Sequence, residues 1–350
     1  MISERVLDGA ISILLGCQVN MFTLERIVTT PYGRQFGVPL SVLQYVAVAT
    51  FAAVLSLTRR RPSSDGWGGG ITLAARRVPM RSLATMGCIF ALVTVLNNGV
   101  LEVPGISMPI HTTFRSSSLI VSVLSGWLLF GKRYSWPQVG CVVLVTLGVT
   151  ALTLALSSGG TSPPKTMNGG VTARRTWLSD APVMVGVAML FTSVVLSAAL
   201  GNYQDATFAQ LRKRAEQLPA LAASLKERPL WKEAMGFVHV IALPATLVPY
   251  GVGRFLDDVH HLPTELYVDV AVNIVSQCVC IRGVYVLVES SSALQMTMLI
   301  TIRKFLSLMF SVAYFEHYKS FTWVHVAAVA AVMVGGTLFS FVPTVKVKTS

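Results

Sequence analysis

The chain has 350 residues, of which 53% are hydrophobic and 13% charged. Soluble globular chains carry about 25% charged residues, so a water-soluble body of this size is excluded. The same hydrophobicity excludes a disordered chain. A net charge of +12, from 28 Lys and Arg against 16 Asp and Glu, would suggest nucleic acid on a soluble protein. On a polytopic membrane protein it reads instead as basic residues flanking spans on the cytosolic side, and no nucleic-acid partner is expected.

A spanning helix needs about 20 apolar residues. Apolar runs predict ten spans, at about 6–28, 36–58, 82–101, 108–130, 137–157, 181–203, 234–252, 266–288, 291–314 and 321–342. The first run is too long for a cleavable leader and lacks a small-residue cleavage motif. Arg59, Arg60 and Arg61, a Gly-rich stretch, and Arg76, Arg77 and Arg81 make the second connection long and basic. The fourth connection is the short Gly131-Lys132-Arg133-Tyr134 turn. Residues 204–233 read as a mixed connection with six basic residues, and Pro244 and Pro249 interrupt span seven.

Placing both termini in the cytosol puts 17 Lys and Arg on that side and seven opposite, with Arg115, Arg282, Arg303 and Lys304 inside spans. That asymmetry favours an even number of spans with cytosolic ends. Cys17, Cys88, Cys141, Cys278 and Cys280 all lie in apolar runs, and their odd number implies no disulfide framework.

The chain repeats weakly. Thr113-Phe114-Arg115-Ser116 in span four matches Thr301-Ile302-Arg303-Lys304 in span nine. Trp136 lies 21 residues after Arg115, and Trp323 lies 20 after Arg303. Gly148 and Gly336 each follow their arginine by 33 residues. Spans four and five thus correspond to nine and ten. The fold expected is all-α: one membrane domain over 1–350, built of five-helix repeats at 1–157 and 181–345. An odd number of spans per half requires the halves to be inverted, an arrangement that builds secondary transporters with a binding site near the midplane.

A charge at the bilayer centre costs roughly 2.5–3.5 kcal/mol. Snorkelling and pairing compete with function at each intramembrane cation. Arg282 can reach the interface or pair with Glu289. Arg115 lies about two turns from the non-cytosolic face. Arg303 and Lys304 are deepest and, being adjacent on a helix, point about 100° apart. Together the four predict an anionic substrate. Phosphate suits Arg forks and the Lys point charge. His111 and Arg115 share a helix face, as do Asn273 and Gln277. Asn97 and Asn98 sit in an apolar span, and Tyr285 can stack a base. For each of these polar residues, interhelical hydrogen bonding is the competing role.

Two patterns are rejected. Residues 126–132 fit GxxxxGK, but Arg133 stands where Ser or Thr would hold magnesium, and the segment ends an apolar helix. Asp257-Asp258 with His260-His261 reads as a solvated loop rather than a metal site. No metal or other cofactor is expected, and no Asp-x-Asp or paired-carboxylate motif points to an enzyme.

The pieces Met108-Pro109-Ile110-His111, Phe114-Arg115, Lys132-Arg133-Tyr134-Ser135, Asn273 to Gly283 and Ile302-Arg303-Lys304-Phe305-Leu306-Ser307-Leu308, with Asn97-Asn98, resemble nucleotide-sugar transporters of the drug/metabolite transporter superfamily. The branch they resemble carries UDP-N-acetylglucosamine and UDP-xylose. The resemblance implies exchange of a cytosolic UDP-sugar for lumenal UMP across the Golgi or endoplasmic reticulum membrane. By position, Arg115, Arg303 and Lys304 would serve the phosphates, and Asn97, Asn98, Asn273 and Gln277 the base or sugar. Asn202-Tyr203-Gln204-Asp205 departs from the Asn-Glu pair of related members, which leaves the sugar open. Another nucleotide sugar or phosphorylated metabolite is the alternative cargo, and a membrane-embedded glycosyltransferase is disfavoured. Lys346 and Lys348 form a Lys-x-Lys-x-x terminus, the pattern that coat machinery reads as a dilysine retrieval signal; a plain basic flank is the competing reading. A homodimer is compatible with the sequence.

Overall fold

A computed structural model describes residues 4–30, 32, 36–57, 76–100, 103, 118–158, 182–227, 229–314 and 323–342. Among these residues all regular structure is helical. In chain order the helices are α1 (Glu4–Thr29), α2 (Gly37–Leu57), α3 (Met80–Val100), α4 (Ser118–Phe130), α5 (Trp136–Ser158) and α6 (Val183–Gln217). There follow α7 (Pro219–Glu227), α8 (Leu230–Tyr250), α9 (Val252–His260), a 3-10 turn (Thr264–Leu266), α10 (Tyr267–Ser290), α11 (Ala293–Tyr314) and α12 (Trp323–Phe341). Among the described residues six segments are long and apolar enough to cross a membrane: Glu4–Leu24, Gly37–Ser56, Met80–Val100, Val183–Gln217, Leu230–Tyr250 and Thr264–Ser290. Shorter apolar helices cover Ser118–Phe130, Trp136–Ala151 and Val326–Phe339.

The connection expected at 204–233 is mostly helix. α6 runs for 35 residues, about 52 Å at 1.5 Å per residue, well beyond a hydrocarbon core of about 30 Å. Its extension is held by a stripe: Gln204, Phe208, Leu211 and Ala215 are buried at helical spacing, while Lys213 and Arg214 are exposed. α8 continues through Pro244.

The chain forms two compact units, Met1–Leu92 with Tyr203–Ser292, and Val93–Asn202 with Ala293–Ser350. In the first, α1 and α10 run antiparallel and pack closely. A Cβ on Gly16 would lie 2.8 Å from the Cys280 nitrogen, and one on Gly283 would lie 2.9 Å from the Gly9 carbonyl oxygen. Small residues allow this approach without lost side-chain contacts, which is how helices gain packing energy in lipid. Ion pairs close both ends: Arg282 with Asp8 at 2.6 Å and Arg26 with Asp269 at 3.3 Å. Between them Cys17 and Cys280 form a disulfide, Cα–Cα 4.6 Å. This corrects the expectation of no disulfide. The odd count and apolar settings carried no information about a partner 263 residues away. Cys88, Cys141 and Cys278 are free thiols. α2 packs on α8 and α10.

In the second unit α5 packs on α12 and α4 on α11. Leu119, Val142, Val145, Leu294, Met298 and Val332 form its core. Gly148 faces the Ala328 carbonyl, where a Cβ would sit 2.9 Å from the oxygen.

Candidate functional site

The intramembrane cations have different surroundings. Arg303 lies in α11 and is 6% exposed, one residue after Ile302, which packs against the second unit's core. The backbone of Lys304 continues the same helix; its side chain, and His111, Arg115, Lys346 and Lys348, lie outside the described residues. Arg282 does not pair with Glu289. Its guanidinium donates to both Asp8 carboxylate oxygens, at 2.6 and 3.1 Å, and to Ser12 Oγ at 3.0 Å. The partner is on α1 because the close α1–α10 packing brings Asp8 opposite Arg282. Arg282 is thereby neutralised within the first unit and adds nothing to a surplus of positive charge.

Glu289 has another task. It accepts hydrogen bonds from the Leu230 and Trp231 amides at 3.1 and 2.7 Å. A carboxylate there satisfies orphan N–H groups and complements the positive end of α8. Arg212, on the α6 extension, donates to the Glu289 carbonyl. The same device recurs at α3. Buried Glu233 accepts from the Arg77 and Val78 amides, both at 3.0 Å, and pairs with Arg77 Nε at 3.5 Å.

Asn273 is fully buried. Its amide donates to the Asn20 carbonyl at 2.8 Å and to Thr23 Oγ1 at 3.0 Å, and its Oδ1 accepts from Gln44 Nε2 at 2.6 Å. Asn20 returns a bond to the Asn273 carbonyl at 2.9 Å. Three helices, α1, α2 and α10, are stapled there. Gln277, one turn on, is half-buried. Tyr285 is buried and hydrogen-bonded with Gln204. It borders a cluster around His239, whose ring lies 5.0 Å from Phe90, 5.5 Å from Tyr45 and 6.3 Å from Tyr285. His239 Nδ1 is 2.7 Å from the Met235 carbonyl. A carbonyl can only accept, so Nδ1 carries the proton.

In the second unit Asn97 and Asn98 are half-buried, and Asn97 Oδ1 is a buried acceptor with no hydrogen-bond partner among the described residues. Asn202, fully buried, accepts from Lys132 Nζ at 3.0 Å and donates to the Ser122 carbonyl at 3.0 Å. Gly126 leaves room for this contact: a Cβ there would meet Asn202 Oδ1 at 3.2 Å and the Tyr134 hydroxyl at 2.0 Å. The predicted residues therefore fall in two groups, Asn273, Gln277 and Tyr285 in the first unit, and Asn97, Asn98, Arg303 and Lys304 in the second. Sequence reasoning passed over Gln44, Asn20, His239 and the Lys132–Asn202 pair. Their signal was available, since each is a polar residue within or beside an apolar run. Outside the spans, burial and the Asp258 and Asp257 carboxylates push the Tyr32 phenol up, so it stays a neutral donor to the Asp258 carbonyl. Among the described residues no group of three or more His, Cys, Asp or Glu side chains is placed to hold a metal.

Comparison with known proteins places this architecture. The UAA transporter family matches residues 7–342. The UDP-N-acetylglucosamine transporter slc35b4 of Dictyostelium discoideum is 30% identical over 313 residues, 87% of this chain and 83% of its own length. The UDP-xylose and UDP-N-acetylglucosamine transporter of Danio rerio is 27% identical over 346 residues, covering 94% and 91%. A solved crystal structure with 15% identity superposes at a TM-score of 0.60 over 97% of this chain and 98% of its own, and so shares the fold. The chain belongs to the UAA transporter family, within the nucleotide-sugar branch that these relatives represent, and is a transporter rather than an enzyme.

Proposed function

We propose that this protein is an antiporter that moves UDP-N-acetylglucosamine, or a related UDP-sugar, into the Golgi or endoplasmic reticulum lumen in exchange for UMP. It crosses the membrane ten times in two inverted halves of five, with both termini cytosolic. Helix pairing supports the inverted scheme. α2 packs on α8, α4 on α11 and α5 on α12, and these are spans two and seven, four and nine, five and ten, so these six helices meet their counterparts from the other half, while α1 packs on α10, span one on span eight.

The observation that carries the reading is Arg303, a guanidinium held 6% exposed in an apolar helix with a second cation next to it in sequence. An anion that lost its water would gain most from such groups. Arg303 and Lys304, with Arg115, bind the diphosphate. Asn97, Asn98, His111, Gln277 and Tyr285 serve base and sugar, and the buried Asn97 Oδ1 is an acceptor ready for a ligand donor. Asn273, with both amide protons donated and its oxygen accepting from Gln44, holds helices. UMP keeps the base and one phosphate, so it uses the same cationic groups on the return. Each ligand lets the carrier change sides, while the empty carrier crosses slowly. Lys346 and Lys348 act as the retrieval signal.

Proteoliposomes loaded with UMP test this. UDP-N-acetylglucosamine uptake should rise sharply over empty vesicles and should be competed by UDP-sugars before GDP- or CMP-sugars. Uptake indifferent to internal UMP refutes the antiport, and indifference to UDP-sugars refutes the cargo. Arg303→Ala and Lys304→Ala should each abolish uptake in protein that remains folded.

A further inference from the structure

α9 has no place in a scheme of spans alone. It joins two crossing helices, α8 and α10, and the chain turns into it at Gly251, whose φ of +95° suits glycine and breaks the helix direction. Successive helical residues are 100° apart. Val252, Phe255, Leu256 and Val259 therefore share one side of α9, and Arg254 and Asp257 lie opposite.

The roll of the helix is fixed by its contacts. Val259 packs against the cluster of Ile27, Phe36, Leu40, Leu266 and Val270. Tyr250 donates to the Asp258 carboxylate and Tyr32 to the Asp258 carbonyl. The Arg254 guanidinium stacks 4.5 Å over the Tyr250 ring, its Nε 4.0 Å from Asp258 Oδ2. With the roll fixed, Val252 and Leu256 lie beside Val259 at the margin of its packed side, where they remain 52% and 60% exposed. Exposed apolar residues flank them in the adjoining helices, Val248 in the last turn of α8 and Val268 in the first of α10.

We infer that α9 is an interfacial helix, docked along the membrane plane with Val252 and Leu256 in the boundary between headgroups and acyl chains of a phospholipid bilayer. Connectivity puts it there, because both ends are tied to helices that cross the bilayer. Its apolar side continues the exposed apolar surface of α8 and α10, and its polar side carries Arg254 and Asp257, with His260 at the border between the two. The occupant is apolar lipid rather than an anionic headgroup: the Arg254 charge is already engaged by Asp258 and Tyr250, and Asp257 pairs with His261 at 3.2 Å. The helix thereby ties the end of α8 and the α1–α2 connection to one level of the membrane. This inference is independent of the cargo.

The test uses the full chain in reconstituted vesicles, with Cys88→Ser and one added cysteine each: Val252→Cys, Leu256→Cys, Asp257→Cys and His260→Cys. Each is spin-labelled, with the parent setting the background. The ratio of oxygen to water-soluble nickel-chelate collisions should be severalfold higher at 252 and 256 than at 257 and 260. It should be the same in phosphatidylcholine with or without phosphatidylserine. Equal nickel access at all four positions overturns the inference, as does a ratio that needs phosphatidylserine, or spin–spin broadening at 256 that reveals a second copy on this face. Leu256→Trp gives an independent reading. Its fluorescence, taken as the difference from the parent, should be quenched by lipids brominated near the carboxyl end, and absence of quenching refutes the placement.

Discussion

Replacing Asn273 with alanine separates packing from substrate binding. Three side-chain hydrogen bonds disappear, to the Asn20 carbonyl, to Thr23 Oγ1 and from Gln44 Nε2, at 2.8, 3.0 and 2.6 Å. The backbone carbonyl of residue 273 keeps its bonds from Asn20 and Ser276, so α1 and α10 stay in register. Interhelical hydrogen bonds in membranes average roughly 0.6 kcal/mol, and a buried polar group left unpaired costs about 1–3 kcal/mol. The Gln44 amide is the group most exposed to that penalty, since it loses the partner that drew it between the helices. Three such bonds and one unpaired amide together predict a loss of about 3–5 kcal/mol, and a melting temperature lower by several degrees in detergent-purified protein. UMP affinity, measured on the surviving folded fraction, should be unchanged, because both amide protons and the side-chain oxygen of Asn273 are already engaged between helices. An unchanged melting temperature with an affinity reduced tenfold would refute the packing assignment and return Asn273 to the substrate site.

Three further outcomes follow from the same geometry. Glu233→Ala should destabilise the protein by about 3–5 kcal/mol, because it removes the buried carboxylate that pairs with Arg77 and accepts from two amides; Glu233→Gln should lose less, read by thermal melting of both. Gly148→Leu should cost about 1–3 kcal/mol by overpacking, since its Cβ would lie 2.8 Å from Val332 Cγ2 and 2.9 Å from the Ala328 oxygen, while Gly140→Leu, with nothing within 4 Å, should melt as the parent does. Arg282→Gln should retain uptake, because its half-exposed pair with Asp8 is worth about 0–1 kcal/mol; loss of uptake equal to that of Arg303→Ala would show that Arg282 meets the cargo.

Helix was legible because backbone groups in lipid must bond within their own segment, so apolar length alone announces it. The α6 extension was missed for the complementary reason. Past residue 203 the helix is stabilised by an amphipathic stripe, Gln204, Phe208, Leu211 and Ala215, which mean hydropathy averages away. Partners were not legible at all. An arginine in a span announces a need for a counter-charge, but the acid that meets Arg282 lies 274 residues away on α1, and Glu289, the neighbour on its own helix, caps α8 instead. Asn273 likewise announced a polar requirement, and only tertiary packing decides that Asn20, Thr23 and Gln44 fulfil it.

This distinction sharpens the electrostatic reasoning. Four intramembrane cations suggested an anionic cargo, yet Arg282 is neutralised inside the first unit by Asp8. Arg303, 6% exposed in an apolar helix, and the adjoining Lys304 belong to the second unit, which also carries Lys132, Asn97 and Asn202. The first unit spends its charges and amides on itself: Glu233 and Glu289 on helix starts, Asn273 on helix contacts, Asp8 and Asp269 on arginines. Phosphate recognition should therefore be carried by the second unit. Under UMP, amide exchange should slow along α11 around Arg303 more than along α10 around Asn273, where the hydrogen bonds are complete without a ligand; equal protection of both helices would break the division of labour.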